Sequence, residues 1–338
     1  MKKGLVHCFF NSKTNILQES CKTHIRYPAS RINLSSNRYS SCNLCVGIRG
    51  ADMEIASINL ENSFFNTWLS VDVKTHNETI YNKVNHSFAK RIGFVVEQCT
   101  RVSNTVQEAL SNNEFPLVLS GDHSSALGTI SGVKAANPRA KLGVIWIDAH
   151  ADLHSPYTSP SGNIHGMPLA AGLQEDNIKM KINELDAATF NSWNKLKNIG
   201  TNKPKFLPDH LIFFGVRDTE TPEDFLIENK GIKNYTVSEI RFRGLIKCVQ
   251  EAIHRLQDCD AIYITFDVDS LDCDFVSRGT GTPVSFGFNP IEVKSIITEF
   301  LKTEKVVCIE FTEINPLLDN KGNLMAETAF DILNYCFE

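Results

Sequence analysis

The chain has 338 residues, of which 42% are hydrophobic, and 34 Lys and Arg against 39 Asp and Glu give it a net charge of -5. This length supports a sizeable core, and the slightly acidic balance argues against nucleic acid or an anionic membrane as the main partner. Its longest apolar runs, such as residues 142–147, are too short to span a bilayer. Ten scattered cysteines indicate buried free thiols in a reducing cytoplasm rather than a disulfide framework.

Predicted elements begin after an N-terminal segment, residues 1–50, that is rich in Ser, Asn, Arg and Cys and has no strong periodicity. Residues 85–111 repeat apolar side chains every three or four positions, which predicts a long amphipathic helix. Strands and helices then alternate. We predict strands at 116–119, 142–147, 211–216, 261–266 and 306–311, and helices at 124–136, 222–229, 238–257 (with Ser238 as N-cap), 290–301 and 325–335.

This alternation predicts an α/β fold, a three-layer αβα sandwich around a mostly parallel central sheet. In such sheets, ligands bind beyond the carboxyl ends of the strands. The chain shows no internal repeat and no low-complexity linker. We therefore predict a single domain over residues 1–338, within which residues 1–50 are poorly placed.

Metal-binding side chains directly follow three of the predicted strands: His123 after the first, Asp148, His150 and Asp152 after the second, and Asp267 and Asp269 after the fourth. Alternate residues of an extended chain point the same way, so each group can face one site. Four carboxylates and two imidazoles are typical ligands of a pair of divalent ions such as Mn²⁺ and fit a thiolate-type zinc site less well. Two ions about 4 Å apart can share a nucleophilic hydroxide, which predicts a hydrolase.

Other interpretations of these residues are weaker. A single aspartate after a strand usually caps a helix or holds a turn, but so many clustered carboxylates would repel one another without a cation. A structural zinc site could be drawn from Cys21, His24, Cys42 and Cys45. The segment that links these four residues lacks zinc-ribbon character.

The chain carries four motifs, which are Gly121-Asp122-His123-Ser124, Asp148-Ala149-His150-Ala151-Asp152, Gly162-Asn163-Ile164-His165-Gly166 and Phe266-Asp267-Val268-Asp269-Ser270-Leu271-Asp272. In this order they resemble the motifs of the ureohydrolases, the family of arginases, agmatinases and formimidoylglutamases. The resemblance covers residues 116–318 and implies an αβα fold, two Mn²⁺ per chain (Co²⁺ and Fe²⁺ also suit the ligands) and a homotrimer or homohexamer.

The resemblance also implies roles for the site residues. A metal-bridging hydroxide would attack the guanidinium carbon, and Asp152 would orient it and pass its proton to the leaving amine. His165 resembles the family's proton shuttle, and Glu313 resembles the carboxylate that pairs with the guanidinium. One ion would be held by His123, Asp148, Asp152 and Asp267, and the other by Asp148, His150, Asp267 and Asp269.

The loop at 155–163 most resembles that of arginases, which implies hydrolysis of L-arginine to L-ornithine and urea. Small hydroxyl residues of this loop hold the substrate α-carboxylate in arginases. The implied substrate-binding residues are Ser159 and Ser161 for the carboxylate, His154 and Asn163 nearby, Glu220 for the α-ammonium, Glu223 through water, and Thr282 near the catalytic histidine.

Departures from the arginase pattern keep other substrates open. His154 stands where arginases usually carry an asparagine, and Glu220 is one methylene longer than the expected aspartate. Both positions concern amino-acid recognition, so agmatine or another guanidino compound is the main alternative substrate. Two further classes, a dinuclear metallophosphoesterase and a non-catalytic protein on the same fold, fit the motifs less well.

Overall fold

The computed structural model describes residues 43–47, 64–76, 79 and 82–337. Within them, one sheet is built from β1 (Asn43–Gly47), β2 (Leu69–Asp72), β3 (Phe115–Leu119), β4 (Leu142–Ile147), β5 (Leu211–Phe214), β6 (Lys233–Tyr235), β7 (Ala261–Asp267) and β8 (Val306–Thr312). All paired strands are parallel, in the order β2-β1-β3-β8-β7-β4-β5-β6. The parallel sheet predicted from the alternating pattern is confirmed.

Nine α-helices occur among the described residues. They are α1 (Ile92–Ser111), α2 (Ala126–Ala136), α3 (Pro168–Leu173), α4 (Ala187–Lys197), α5 (Thr221–Lys230), α6 (Val237–Arg243), α7 (Leu245–Arg255), α8 (Pro290–Leu301) and α9 (Leu324–Phe337). No helix of the described ranges is both long enough and apolar enough to cross a bilayer.

Helices cover both faces of the sheet. Because alternate residues of each strand point to opposite sides, each strand contributes side chains to both helical layers. In β4, Ile145 and Ile147 join a cluster with α7, α8 and α9, whereas Val144 and Trp146 join a cluster with α1 and α2. These strand residues are fully buried on both sides. Burial on both faces is typical of parallel sheets and completes the three-layer αβα sandwich.

Two helix predictions need correction. The helix predicted at 238–257 is two helices, because Gly244 between α6 and α7 adopts φ 94° and ψ 127°, a conformation that an L side chain rarely allows. The N-cap is Thr236, whose hydroxyl accepts a hydrogen bond from the Glu239 N–H at 3.2 Å, and not Ser238. The helix predicted from residue 85 begins at Ile92, after Arg91 in the left-handed region with φ 57°.

Some sequence predictions fall on parts of the chain that the structure does not describe. The alternative zinc ligands Cys21, His24 and Cys42 lie outside the described residues, and only the backbone of Cys45 is described. Most of the N-terminal segment 1–50 lies outside them as well.

Candidate metal centre

The predicted site residues come from the carboxyl ends of five adjacent strands, β3, β8, β7, β4 and β5. Because all five are parallel, their carboxyl ends meet at one edge of the sheet. His123 follows β3, Glu313 follows β8, Asp267 ends β7, Asp148 follows β4, and Glu220 follows β5.

In each acidic motif, the side chain of the first aspartate forms an Asx turn with the backbone two residues further on. Asp148 Oδ1 accepts from the His150 N–H at 2.7 Å, and Asp267 Oδ1 accepts from the Asp269 N–H at 2.8 Å. Such Asx turns end each strand, so the extended geometry predicted from the alternate spacing does not continue past β4 or β7. Asp152 adopts a left-handed φ of 50°. Turns rather than strand alternation therefore bring these side chains together.

The second oxygens of the two aspartates face His123. The imidazole Nδ1 lies 2.9 Å from Asp148 Oδ2, 3.2 Å from Asp267 Oδ2 and 3.3 Å from Asp152 Oδ2. Although His123 Nδ1 and Asp148 Oδ2 are close, their contact lacks hydrogen-bond geometry, and both atoms are buried without another partner among the described residues. An unpaired buried nitrogen beside three carboxylates fits a coordinated cation, because buried polar atoms otherwise find a partner.

His123 is held from its other side. Its Nε2 lies 2.9 Å from the Thr265 hydroxyl, and its ring stacks on Trp146 with centroids 4.0 Å apart and planes 12° apart. A metal-binding histidine commonly donates its remaining ring N–H to a second group, which fixes the tautomer and the ring orientation. Thr265 is placed for this role.

A second cluster joins the first through Asp148. His150 Nδ1 lies 3.0 Å from Asp269 Oδ2 and 3.5 Å from Asp148 Oδ1, and its Nε2 lies 3.6 Å from Asp218. The Thr282 hydroxyl donates to Asp269 Oδ2 at 3.1 Å. Ligand atoms of His123, Asp148 and Asp267 lie within 4.8 Å of one another, and so do those of Asp148, His150 and Asp269.

The crowding of these acids is costly unless cations are bound. Burial raises the pKa of Asp152 well above its usual value, and the charge of Asp148 raises it further. Burial likewise raises the pKa of Asp267, with the charges of Asp269 and Asp148 adding to it. Divalent ions would reverse this repulsion, so the donor set of buried oxygens and imidazole nitrogens fits a pair of them.

His165 and Glu313 lie side by side next to this cluster. His165 Nδ1 is 3.9 Å from Glu313 Oε1, which also accepts the backbone N–H of His123 at 3.0 Å. Glu313 has a left-handed φ of 64°. Burial raises the pKa of Glu313 to about 7. The side chain of His165 is about one-third exposed, at 36%, so it contacts solvent beside Glu313.

The predicted carboxylate-binding loop forms a second group of polar side chains. The Ser159 hydroxyl accepts from the Gly162 N–H at 2.9 Å and lies 3.4 Å from the Ser161 hydroxyl. The Ser161 hydroxyl accepts from the Asn163 N–H at 3.1 Å, and Lys90 Nζ donates to Asn163 Oδ1 at 3.1 Å. The loop is thus ordered by its own hydroxyl groups.

His154 faces the two acids that follow β5. Its Nε2 lies 3.4 Å from Glu220 Oε2 and 3.6 Å from Glu223 Oε2. Glu223 also accepts the N–H groups of Leu153 and Glu220, each at 3.1 Å. Burial lowers the pKa of His154 to about 4 and raises that of Glu223 to about 7.

A buried network supports the turn that carries His123. The Ser125 hydroxyl donates to Glu310 Oε1 at 2.9 Å, and the Tyr263 hydroxyl donates to Glu310 Oε2 at 2.7 Å. Glu310 and Tyr263 are fully buried in β8 and β7. These bonds tie the 3₁₀ turn His123–Ser125 to two strands of the sheet.

Arg217 connects the cluster with the loop that carries Thr282. Its guanidinium donates to the carbonyl oxygens of Gly215, Asp269, Val284 and Ser285 at 2.9–3.1 Å. The fork of a guanidinium can serve several acceptors at once. Arg217 therefore fixes the backbone of Asp269 relative to three other positions.

Several of these supporting residues were not predicted from the sequence, although signals for two of them existed. Thr265 lies two positions before Asp267 in the same strand, so period-two alternation places both on one face. Asp218 follows Arg217 just beyond β5, at the edge that carries the other acids. Nothing in the sequence indicated the contact between His154 and Thr158, whose Nδ1 and Oγ1 atoms are 3.1 Å apart.

Comparisons with known proteins agree with this architecture. A model of the Arginase family matches residues 46–337. The arginase of Brevibacillus brevis is 38% identical over 255 residues, which cover 75% of this chain and 78% of that protein. The crystal structure of Bacillus caldovelox arginase gives a TM-score of 0.71 at 32% identity, covering 85% of this chain and 90% of that one. Entamoeba histolytica arginase in complex with L-ornithine gives 0.65 at 28% identity, covering 74% and 79%.

The fold and the family match together define a metal-dependent hydrolase of the ureohydrolase type. The family model spans most of the chain, and the arginases it resembles exceed 30% identity over more than two thirds of it. The chain belongs to the arginase family.

Proposed function

We propose that this protein hydrolyses L-arginine to L-ornithine and urea at a binuclear manganese centre. Three carboxylates, those of Asp148, Asp152 and Asp267, converge on the buried Nδ1 of His123, and this convergence carries the proposal. Co²⁺ and Fe²⁺ suit the same donors. The proposed ligands are His123, Asp148, Asp152 and Asp267 for one ion, and Asp148, His150, Asp267 and Asp269 for the other.

The chain's own residues bind the guanidinium group and transfer protons. When bound, the ions supply Lewis acidity and lower the pKa of a coordinated water toward neutrality. Glu313 pairs with the planar guanidinium, for which a carboxylate is a geometrically matched partner. Asp152 would accept a proton from the attacking oxygen and pass it to the leaving amine, which regenerates the carboxylate. His165, partly exposed beside Glu313, exchanges protons with solvent.

The amino-acid end of the substrate is assigned to the other group of polar side chains. Ser159, Ser161 and Asn163 take the α-carboxylate together with His154, and Thr282 supports the centre through Asp269. Glu220 takes the α-ammonium directly. Glu223 acts on the same ammonium through water.

Agmatine is the second candidate substrate. The acids at Glu220 and Glu223 suit any ammonium group, and His154 replaces the asparagine that arginases carry at this position. Agmatine retains an ammonium group at this end but has no carboxylate, so it would use the acids without the serines.

Urea release from purified, Mn²⁺-loaded protein, measured with L-arginine and agmatine in parallel, tests the proposal. Turnover of L-arginine with little of agmatine supports the arginase assignment. Turnover of agmatine alone would keep the hydrolytic chemistry and overturn the substrate. Turnover of neither compound by metal-loaded protein would overturn the proposed function.

We also propose that the chain assembles as a homotrimer or homohexamer. Phe242, Phe286 and Ile291 are strongly exposed. Phe242 follows Arg241 and Ile291 precedes Glu292, the two partners of an ion pair, and Phe286 precedes Gly287, whose carbonyl oxygen also accepts from Arg241. Exposed apolar side chains grouped in this way are typical of contact surfaces. Light scattering should give three or six times the chain mass, and a monomer would contradict this assignment.

The cysteines support a cytoplasmic location. Six of them, at positions 99, 248, 259, 273, 308 and 336, are free and buried. Reduced thiols persist in the cytoplasm, whereas secreted proteins usually form disulfides. We propose a cytoplasmic location on this basis, which fractionation of the native cells would test.

A further inference from the structure

We propose that Thr158 is a positioning residue that affects substrate choice. Its hydroxyl holds the His154 ring so that Nε2 is a hydrogen-bond donor beside Glu220 and Glu223. The arrangement favours a zwitterionic α-amino acid end over a plain ammonium end. This inference rests on the proposed function, because it concerns the far end of the same guanidino substrate. Thr158 itself is fully buried and does not line the site.

The two acids determine which ring nitrogen of His154 carries the proton. Nε2 faces Glu220 Oε2 at 3.4 Å and Glu223 Oε2 at 3.6 Å. A carboxylate only accepts hydrogen bonds, so a bare nitrogen lone pair at this position would be repelled. Nε2 therefore carries the N–H. Both distances exceed a short hydrogen bond, so this donor remains available to a third group.

The Thr158 hydroxyl contacts the other ring nitrogen of His154, Nδ1, and is consistent with a proton on Nε2. In a neutral imidazole with its proton on Nε2, Nδ1 can only accept. The Thr158 hydroxyl lies 3.1 Å from Nδ1, and its alternative acceptor, the Ser155 carbonyl, is further away at 3.4 Å. The same hydroxyl accepts the Ser155 N–H at 3.0 Å. Its single proton is thus directed at His154.

Thr158 is also well anchored. Its backbone N–H donates to the Ser155 carbonyl at 3.0 Å, and the Ser155 hydroxyl donates to the Asp176 carbonyl at 2.6 Å. Because both ends of this turn are tied down, rotation of the His154 ring would break the bond to Thr158. The ring orientation, and with it the direction of the Nε2–H, is fixed before substrate binds.

The chemistry of this corner matches the α-amino acid group. Glu220 and Glu223 stand at the N-terminus of α5 and attract an ammonium, while the Nε2–H between them offers a donor to a carboxylate. In their ionised form the two acids cannot provide that donor. A substrate with both charges uses every group here, whereas agmatine uses only the acids.

Thr158→Val tests the inference, because valine keeps the shape of threonine and removes the hydroxyl. We expect KM for L-arginine to rise by about five- to tenfold, because the variant loses the hydrogen bond to His154 Nδ1 and the one accepted from the Ser155 N–H. The agmatine kcat/KM should change by less than about twofold. L-Ornithine, measured by calorimetry on Mn²⁺-loaded protein, should bind more weakly by the same factor as L-arginine.

Two control variants separate positioning from a general structural effect. Thr158→Ser restores the hydroxyl and should restore the L-arginine KM. Thr129→Val removes another fully buried hydroxyl, which has no hydrogen-bond partner among the described residues, and should change neither substrate. Equal losses for both substrates in Thr158→Val, or no loss for either, would overturn the inference while the proposed function stands.

The wild-type protein distinguishes the two failures. If it releases no urea from either compound and does not bind L-ornithine, the proposed function fails and the inference fails with it. If it prefers agmatine, the chemistry stands and the inference is overturned. If it prefers L-arginine, the outcome depends on Thr158→Val alone.

Discussion

The two ends of the candidate site are built differently. The end that carries the proposed metal ligands, the ligand end, is buried and formed by strand termini, with His123, Asp148 and Asp267 at most 2% exposed. The recognition end of the site is formed by loops and by the first turn of α5, and the side chain of Glu220 is 55% exposed. Backbone topology brings the ligand end together, whereas individual side-chain contacts shape the recognition end. Hydrolytic chemistry and substrate choice should therefore respond to different substitutions.

The ligand end should be affected most by loss of a shared carboxylate. Asp267→Asn removes charge from the donor set proposed for both ions, so urea release should fall by at least about a thousandfold, or about 4 kcal/mol. Metal content, measured by elemental analysis, should fall with it. Asp272→Asn is a matched control from the same segment, because the carboxylate of Asp272 accepts only the Asp274 N–H among the described residues. Near-normal activity of Asp267→Asn would contradict its place in the centre.

Thr265→Val sharpens the comparison by altering the ligand end without touching a ligand. His123 Nε2 loses the hydroxyl 2.9 Å away, so metal affinity should drop by about 10- to 100-fold. Competition with a chelator of known affinity measures this change. The ratio of L-arginine to agmatine turnover at saturating metal should remain constant. An unchanged affinity would show that Thr265 does not orient His123.

Substitution of both loop serines should alter only the recognition end. Ser159→Ala with Ser161→Ala should raise KM for L-arginine by about tenfold, since two hydroxyl groups are lost, and should hardly change that for agmatine. Steady-state kinetics with both substrates measures the difference, and metal content serves as the control. Equal effects on the two substrates would remove these serines from carboxylate binding.

A substitution far from both ends should affect stability alone. Alanine at Gly244 meets no atom within 4 Å, but its φ of 94° is unfavourable for any side chain. The free energy of unfolding should fall by about 1–3 kcal/mol, as denaturant titration would show. Activity of the folded protein should not change. A wild-type stability would mean that the junction of α6 and α7 adapts to alanine.

The regular parts of the fold were predictable because apolar runs with clear boundaries determine them. The bounds of β4 and α8 agree with the sequence prediction. Short or polar elements carry too weak a pattern, so β6, with the sequence Lys-Asn-Tyr, and the polar helix α4 were not predicted. Packing against neighbouring elements stabilises such segments more than local preference does.

The site shows the same division. The types of side chain in the cluster were predicted, because six His and Asp residues follow strand ends. Their geometry was not, since it depends on Asx turns and on left-handed backbone at Asp152 and Glu313, which ordinary residues rarely adopt. The two hypotheses for the aspartates were also not exclusive. Asp148 and Asp267 each use one oxygen for the turn and the other for the cluster.

Metal stoichiometry tests the central claim most directly. Protein loaded with Mn²⁺ and then dialysed against metal-free buffer should retain about two ions per chain, and Asp267→Asn should retain far fewer. Wild-type protein that retains no ion would contradict the assignment of these two imidazoles and four carboxylates to a binuclear centre.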